Sequence, residues 1–213
     1  MANGLKQVKG RPGIFKMKTS QGVKIIRLVE WREDFVFDTI EIIAGAPVGP
    51  YDFFANIQGK NAIDTNIATP RRLTSGNEMI LNQIGIHPLM DGVTSVSLAI
   101  DDYAFICERL LYEFRINGIL MAQGPVHCFP SGMGAHGMDT VIGVVSNGLA
   151  STAAIPRLLV PQNIDANNDL RGTLTHNLAP WMTAAYVPGV FPVGGAFVRN
   201  ILRGYMTSAV GKG

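Results

Sequence analysis

Charged residues are scarce in this sequence. Asp, Glu, Lys and Arg make up 16% of its 213 residues, whereas soluble domains usually contain roughly 25%. Hydrophobic residues account for 47%, and 24 glycines add to the uncharged total. So few charges leave much of the surface of a monomer uncovered. We therefore expect a large part of that surface to be buried against partners, most simply against copies of the same chain.

Long unbroken apolar runs are also missing. The longest uncharged stretch, residues 173–198, contains Pro180, Pro188 and Pro192. A transmembrane helix needs ~20 mostly apolar residues without such breakers. No apolar segment follows Lys6, as it would in a signal peptide. The sequence therefore predicts neither a membrane-spanning helix nor a secretory leader.

Cysteine is equally rare. Cys107 and Cys128 are the two cysteines of the chain. Two are too few for the disulfide framework that stabilises many small secreted domains. They fit a reducing compartment or a pair of buried thiols.

The residue patterns of metal and cofactor sites are absent. The four histidines of the chain are His87, His127, His136 and His176. Their spacing does not bring three or four ligands to one ion. Residues 132–137 match Gly-x-Gly-x-x-Gly and look like a flexible loop, but no βαβ alternation surrounds them. We expect no metal and no cofactor, and we interpret residues 165–169 as an Asx-rich turn rather than a calcium loop.

Nucleophile motifs are missing as well. Ser131 lies in Pro-Ser-Gly and not in a Gly-x-Ser-x-Gly elbow. His127 and Cys128 are adjacent, and adjacent side chains of a strand point to opposite faces, so adjacency does not make a Cys–His pair. The sequence predicts no catalytic residue, and we expect a protein that is not an enzyme and has no small-molecule substrate.

A repeated strand pattern dominates what the sequence does contain. Short segments alternate apolar and polar residues, or are rich in β-branched ones, and Gly- and Pro-containing turns separate them. These segments are residues 23–31, 34–43, 79–86, 95–100 and 196–205. In the first segment Val23, Ile25, Val29 and Trp31 share one face. Many short strands of this kind predict an all-β antiparallel sandwich or barrel.

Two Asn-Gly pairs predict β-hairpins. Residues 117–118 lie in the middle of an alternating segment, residues 112–122. Asn-Gly supplies the two positive φ angles that a type I′ turn requires. The second pair, residues 147–148, separates two apolar runs within residues 141–155 and is interpreted in the same way.

Helix is predicted at one place. Asp101 and Asp102 can cap a short helix in which residues 103–110 present one apolar face. We expect at most one or two short helices in the chain. No fixed-period repeat and no linker interrupts the rest, so residues 23–213 are predicted to form one β-sandwich domain.

The charges that are present are unevenly distributed. Every charged residue before Glu30 is positive, and residues 10–13 contain glycine and proline. We predict an extended basic arm over residues 1–22. Its candidate contact residues are Lys6, Lys9, Arg11, Lys16 and Lys18. Such an arm binds nucleic acid, an anionic lipid surface or a neighbouring subunit, unless it is an ordinary solvated terminus.

Five segments form a characteristic arrangement along the chain, namely residues 53–60, 64–66, 73–86, 112–126 and 197–210. They correspond to a polar loop, an apolar strand after it, a hairpin in mid-chain and a closing strand near the C-terminus. This arrangement resembles the jelly-roll capsid proteins of tailless, often membrane-containing, bacterial and archaeal viruses. In that group an extended leader precedes a β-sandwich.

The resemblance implies a jelly-roll-type antiparallel β-sandwich and a structural virion protein. Such a capsid subunit self-assembles in many copies into the icosahedral shell. Its implied partners are copies of itself, other virion proteins and, through the basic arm, the genome or the inner viral membrane. It is made in the host cytoplasm and ends in the virion. The alternatives are a tail-tube or spike module of a phage, a carbohydrate-binding β-sandwich, which usually exposes a Trp or Tyr platform, and a metal-dependent β-barrel enzyme.

Overall fold

Regular structure in the described part of this protein is almost entirely β, which confirms the predicted all-β class. A computed structural model describes residues 6–27, 30–42, 50–89, 106–132, 135–139, 143–147, 155–175 and 196–207. Within this part of the chain, helix is limited to residues 106–109 and the 3-10 turn Val126–Cys128. None of the described helices is long and apolar enough to span a membrane.

Thirteen strands are described, and their pairings with one another are all antiparallel. They are β1 (Lys6–Gln7), β2 (Ile14–Thr19), β3 (Gly22–Arg27), β4 (Trp31–Ile42), β5 (Tyr51–Phe53), β6 (Glu78–Pro88), β7 (Leu111–Ile116), β8 (Ile119–Pro125), β9 (Ala135–Asp139), β10 (Gly143–Asn147), β11 (Arg157–Asp165), β12 (Leu170–Thr175) and β13 (Ala196–Thr207). The predicted strand at residues 95–100 lies outside the described residues, as do Asp101 and Asp102 at the predicted helix cap.

These strands form four sheets. The first sheet has the order β11-β6-β13-β4, and the second sheet has the order β5-β12-β7-β8. The N-terminal sheet has the order β1-β2-β3, and β9 pairs with β10 in a separate hairpin.

The eight strands of the first and second sheets pair in a nested order. In chain order they are β4, β5, β6, β7, β8, β11, β12 and β13. The first pairs with the eighth, the second with the seventh, the third with the sixth and the fourth with the fifth. Two further pairings, β13 with β6 and β12 with β7, join these four ladders into the two sheets.

The first and second sheets pack face to face and enclose the main core. Alternate residues of β12 and β13 point inward, so Leu170, Leu174, Val198 and Leu202 are fully buried. Tyr112 of the second sheet lies among them. Each such side chain contributes about 1.5–3 kcal/mol on full burial. The predicted antiparallel sandwich is thereby confirmed at the level of two packed sheets.

The hairpin predicted at Asn117-Gly118 is confirmed. These residues join β7 to β8, and Ile116 pairs directly with Ile119 across the turn. The φ angles of Asn117 and Gly118 are 50° and 78°, both positive, as a type I′ turn requires.

The predicted flexible loop around His136 is corrected, whereas the second predicted hairpin stays a prediction. Gly143–Asn147 pairs with the preceding strand Ala135–Asp139, in which Ser146 lies opposite His136. His136 is therefore in a strand and not in a loop. Residues 148–154, the other half of the hairpin predicted at Asn147-Gly148, lie outside the described residues.

The predicted extended arm is corrected by the pairing of β2. Ile14–Thr19 pairs with Gly22–Arg27 over its whole length. Residues 10–13 reverse the chain between β1 and β2, with φ angles of 78° at Gly10 and 76° at Gly13. The glycines expected to interrupt regular structure therefore allow a turn between two strands. That residues 23–213 form one domain stays a prediction, and its boundary falls at the first residue of β3.

Candidate interaction surface

The N-terminal sheet packs on the outer face of the first sheet. Its inner side contributes Met17 and Ile26, each 1% exposed, to a small apolar cluster with Trp31 and Ile80. Period-2 alternation explains this side, because residues 15, 17 and 19 of β2 all project toward the sandwich. This cluster holds the N-terminal sheet, called the platform below, in place on the first sheet.

Polar contacts hold the same platform at its margins. The ammonium group of Lys24 pairs with Glu78 and lies 5.9 Å from the ring centroid of Trp31. The backbone amide of Ser20 donates a 3.1 Å hydrogen bond to the carbonyl oxygen of Pro161 in β11. The N-terminal sheet is thus attached to both β4 and β11 of the first sheet.

The outer side of the N-terminal sheet combines cations with exposed apolar residues. Lys16 lies directly opposite Ile25, and Lys18 lies directly opposite Val23. Val23 is 65% exposed and Ile25 is 54% exposed. The sequence predicted that Val23 and Ile25 share a face with Trp31. The structure places Val23 and Ile25 on the solvent side, while Trp31 is buried in β4 beneath the sheet.

Two like charges face each other on this surface. Lys6 of β1 is the direct cross-strand partner of Lys16 in β2, and both are exposed. Like charges opposite each other destabilise a strand pair by repulsion. An anionic partner placed over both ammonium groups would remove that repulsion.

The structure brings the five predicted contact residues onto one small element. Lys6 lies in β1, Lys9 and Arg11 lie in the turn, and Lys16 and Lys18 lie in β2; all five are exposed. We call the exposed side of this element the basic outer face, which consists of Lys6, Lys16, Lys18, Val23, Ile25 and Arg27.

Arg27 was not among the predicted contact residues. It lies in β3, is exposed, and pairs with Glu30 at 3.1 Å. The signal that could have found it is the alternation that sets Val23, Ile25 and Arg27 on one side of β3.

A second surface feature lies beside the basic outer face. Arg157 pairs with Gln83 and Gln162 pairs with Leu81, so residues 158–161 bulge outward from β11. Leu159 at the tip of this bulge is fully exposed. Grooves of about 480 Å³ and 400 Å³ lie on its two sides. Lys18 borders the larger groove.

His127, Cys128 and Ser131 belong neither to the basic outer face nor to the lining of the two grooves. His127 and Cys128 are exposed in the 3-10 turn, and the His127 imidazole Nδ1 lies 3.3 Å from the carbonyl oxygen of Cys107. Ser131 Oγ lies 3.0 Å from Nδ1 of His87. Across the described part of the chain, no three His, Cys, Asp or Glu residues are grouped so that they could hold a metal ion.

The predicted Asx-rich turn is present at residues 165–169. The backbone amide of Asp165 donates to Oδ1 of Asn168, and the amide of Asn168 donates to the carbonyl oxygen of Asp165. These hydrogen bonds close the turn between β11 and β12.

Comparisons with known proteins complete the description of the chain. No protein-family model, no curated protein and no solved structure matches it. No relative therefore supplies a function.

Proposed function

We propose that this chain is a jelly-roll capsid subunit that self-assembles into the icosahedral shell of a virion. The order of the eight sandwich strands carries the proposal. A jelly roll is an eight-stranded double sheet built from two Greek keys, and viral capsid domains are one of its main uses. Folding a long hairpin of nested pairs onto itself produces such a double sheet, and the nested pairing from β4 with β13 inward supports it.

The exposed apolar residues support assembly. Large hydrophobic side chains at the surface of the described residues are Val23, Ile25, Phe35, Ile63, Ile119, Leu120, Leu159 and Val160. Single exposed hydrophobic residues are normal in a monomer. In this chain the exposed hydrophobic residues occur together with a charged fraction of 16%. A surface with this composition is typical of one that is buried against other subunits.

Both edge strands of the first sheet, β4 and β11, are obstructed against pairing with a strand of another subunit, which favours a closed assembly. Asn66 covers the β4 edge, because its Oδ1 accepts from the amide of Phe37 and its Nδ2 donates to the carbonyl oxygen of Phe35, both at 2.8 Å. At the opposite edge the bulge at residues 158–161 interrupts β11. Blocked edges of this kind suppress the edge-to-edge pairing that leads to fibres.

The carbohydrate-binding alternative has weaker support. That class binds sugars on exposed aromatic platforms, but Trp31 is 6% exposed and lies beneath Lys24. Phe35, 50% exposed, is the large aromatic side chain that stands out at the surface of the described residues. A tail-tube or spike module would share the low charge, but the nested double sheet favours the capsid subunit.

Sedimentation velocity and negative-stain microscopy of the purified protein test the proposal. We expect closed particles of uniform diameter, far heavier than the 23.0 kDa chain. Stacked rings or tubes would support the tail-tube alternative. A stable monomer at high protein concentration and across a range of salt would contradict assembly. Binding of that monomer to a glycan panel would favour the carbohydrate-binding alternative.

A further inference from the structure

We propose that the basic outer face binds an anionic phospholipid surface. The inference rests on the proposed function, since it identifies what one face of the shell subunit contacts. It concerns the six residues that define this face: Lys6, Lys16, Lys18, Val23, Ile25 and Arg27. Their charge, their apolar area and their attachment to the sandwich each favour this partner.

The charge of the face calls for an anionic partner. Four of the six side chains are cations, and Lys6 faces Lys16 directly across the β1–β2 ladder. Glu30, which pairs with Arg27, is the first acid after them in the chain. Clustered Lys and Arg residues bind the negative surface potential of membranes that contain anionic lipid.

The apolar residues of the face select a lipid surface among anionic partners. Val23 and Ile25 are more than half exposed, and each lies directly opposite a lysine. Binding at a bilayer interface scales with the apolar area buried plus the attraction to anionic headgroups. The lysine stems can lie along Val23 and Ile25 while their ammonium groups reach the phosphates.

A single-stranded nucleic acid would need a different face. Proteins that hold such strands stack the bases on exposed aromatic side chains between their cations. On β2 the aromatic residue is Phe15, which packs against the inner cluster with Met17 and Ile26. The residues between the cations of the outer side are aliphatic, and these suit acyl chains better than bases.

The platform is already folded before it meets a partner. Met17 and Ile26 anchor it on Trp31 and Ile80, and Ser20 ties it to β11. A preformed site avoids the ordering cost that a disordered basic arm would incur on binding. The six side chains are therefore presented together, on one side of one sheet.

Vesicle co-sedimentation tests the inference on unassembled subunits. The probes are vesicles of phosphatidylcholine alone and of phosphatidylcholine with 30 mol% phosphatidylglycerol. We expect binding to the anionic vesicles and little to the neutral ones. The double variant Lys16→Gln/Lys18→Gln should lower the partition coefficient roughly 30-fold. Each lysine near an anionic surface strengthens binding about fivefold, and the variant removes two.

Two further variants make the result specific. Arg72→Gln/Arg109→Gln removes two exposed cations elsewhere and should change the partition coefficient less than threefold. Val23→Thr/Ile25→Thr keeps β-branching and charge but removes apolar area, and should lower it roughly tenfold. Circular dichroism and the melting temperature of each variant establish that the sheet remains folded.

Three outcomes would overturn the inference. The first is equal binding to neutral and anionic vesicles, or binding to neither. The second is an equal loss in the Arg72/Arg109 control. The third is tighter binding to a single-stranded oligonucleotide than to anionic vesicles, with no effect of Val23→Thr/Ile25→Thr, which would assign the face to nucleic acid. Particles that form without binding vesicles would refute this inference alone. Vesicle binding by a chain that never assembles would refute the proposed function alone.

Discussion

The side-chain amide of Asn200 donates a 2.6 Å hydrogen bond to the hydroxyl oxygen of Tyr112, and neither side chain is exposed to solvent. The bond connects β13 of the first sheet with β7 of the second sheet through the middle of the core. Gly172 leaves the space for it, because a Cβ at that position would lie 2.5 Å from Nδ2 of Asn200. This polar contact links the two sheets across an otherwise largely apolar core.

Removing the hydroxyl group should destabilise the subunit. Tyr112→Phe leaves the Asn200 amide nitrogen buried without its partner, and such a group costs about 1–3 kcal/mol. Urea unfolding of unassembled subunits measures the loss. In a double-mutant cycle with Asn200→Ala, the two effects should be clearly less than additive. Strict additivity would show that the two side chains act independently.

Stability should fall at alkaline pH because of the same tyrosine. Burial raises the pKa of the Tyr112 hydroxyl above its usual value, and the hydrogen bond from Asn200 partly opposes this. The folded state then holds this proton more tightly than the unfolded state. The stability that this proton gives the folded state is fully present below the ordinary tyrosine pKa of about 10. It is lost as the pH rises above that value, by up to about 1.4 kcal/mol per pH unit. Urea unfolding from pH 8 to 11 should show a steeper decline for the native chain than for Tyr112→Phe. Parallel curves would contradict this.

A methyl group at Gly204 should not fit. A Cβ there would lie 2.0 Å from the carbonyl oxygen of Ile80, a backbone atom that cannot move aside. Gly204→Ala should therefore destabilise the subunit by about 3 kcal/mol or more. Gly124→Ala is the matched control, since the nearest atom, on the Phe129 ring, lies at an ordinary 3.5 Å. Thermal unfolding gives the melting temperature of each variant, and we expect that of Gly204→Ala to be the lower one. Equal melting temperatures would contradict the close approach of β13 to β6.

The buried carboxylate of Asp38 should depend on Lys60. Asp38 is fully buried, and its two oxygens lie 2.7 and 2.9 Å from the ammonium nitrogen of Lys60. Lys60→Met removes the ion pair and leaves the Asp38 carboxylate buried with the 2.7 Å hydrogen bond that the Phe54 backbone amide donates to it. We expect a loss of roughly 3 kcal/mol in urea unfolding. Lys24→Met breaks a pair with Glu78 that is partly exposed and should cost at most about 1 kcal/mol. Equal costs would show that burial of Asp38 is incomplete.

Leu159 should matter for assembly and not for folding. Its side chain is fully exposed, and substitutions at such positions usually change stability by about 0.5 kcal/mol or less. If the bulge of β11 is covered by a neighbouring subunit, Leu159→Ser will leave the melting temperature of the subunit unchanged and raise the protein concentration needed for particles. Light scattering measures the second quantity. Normal assembly of Leu159→Ser would show that the bulge stays in solvent.

Local sequence patterns determined the class of structure and several of its elements. Alternation predicted β4 and β13, and an apolar segment after a turn predicted β6, each close to its observed bounds. Asn117-Gly118 predicted its hairpin because positive φ angles at two successive residues are a local property. The cationic N-terminus predicted five residues that the structure places on one small element. Each of these signals lies within a short window of sequence.

Only the tertiary structure decided which faces are buried and which strands are neighbours. β3 carries aliphatic residues on both sides, so period-2 alternation does not show that Ile26 packs inward while Val23 and Ile25 face solvent. The core cluster around Trp31 makes that choice. The pairing of β4 with β13 joins residues that are about 165 positions apart in the sequence for a central pair such as Phe37 and Ile201, beyond the reach of any local pattern. Burial and strand order are long-range properties, because they depend on which surfaces exclude water once the whole chain has folded.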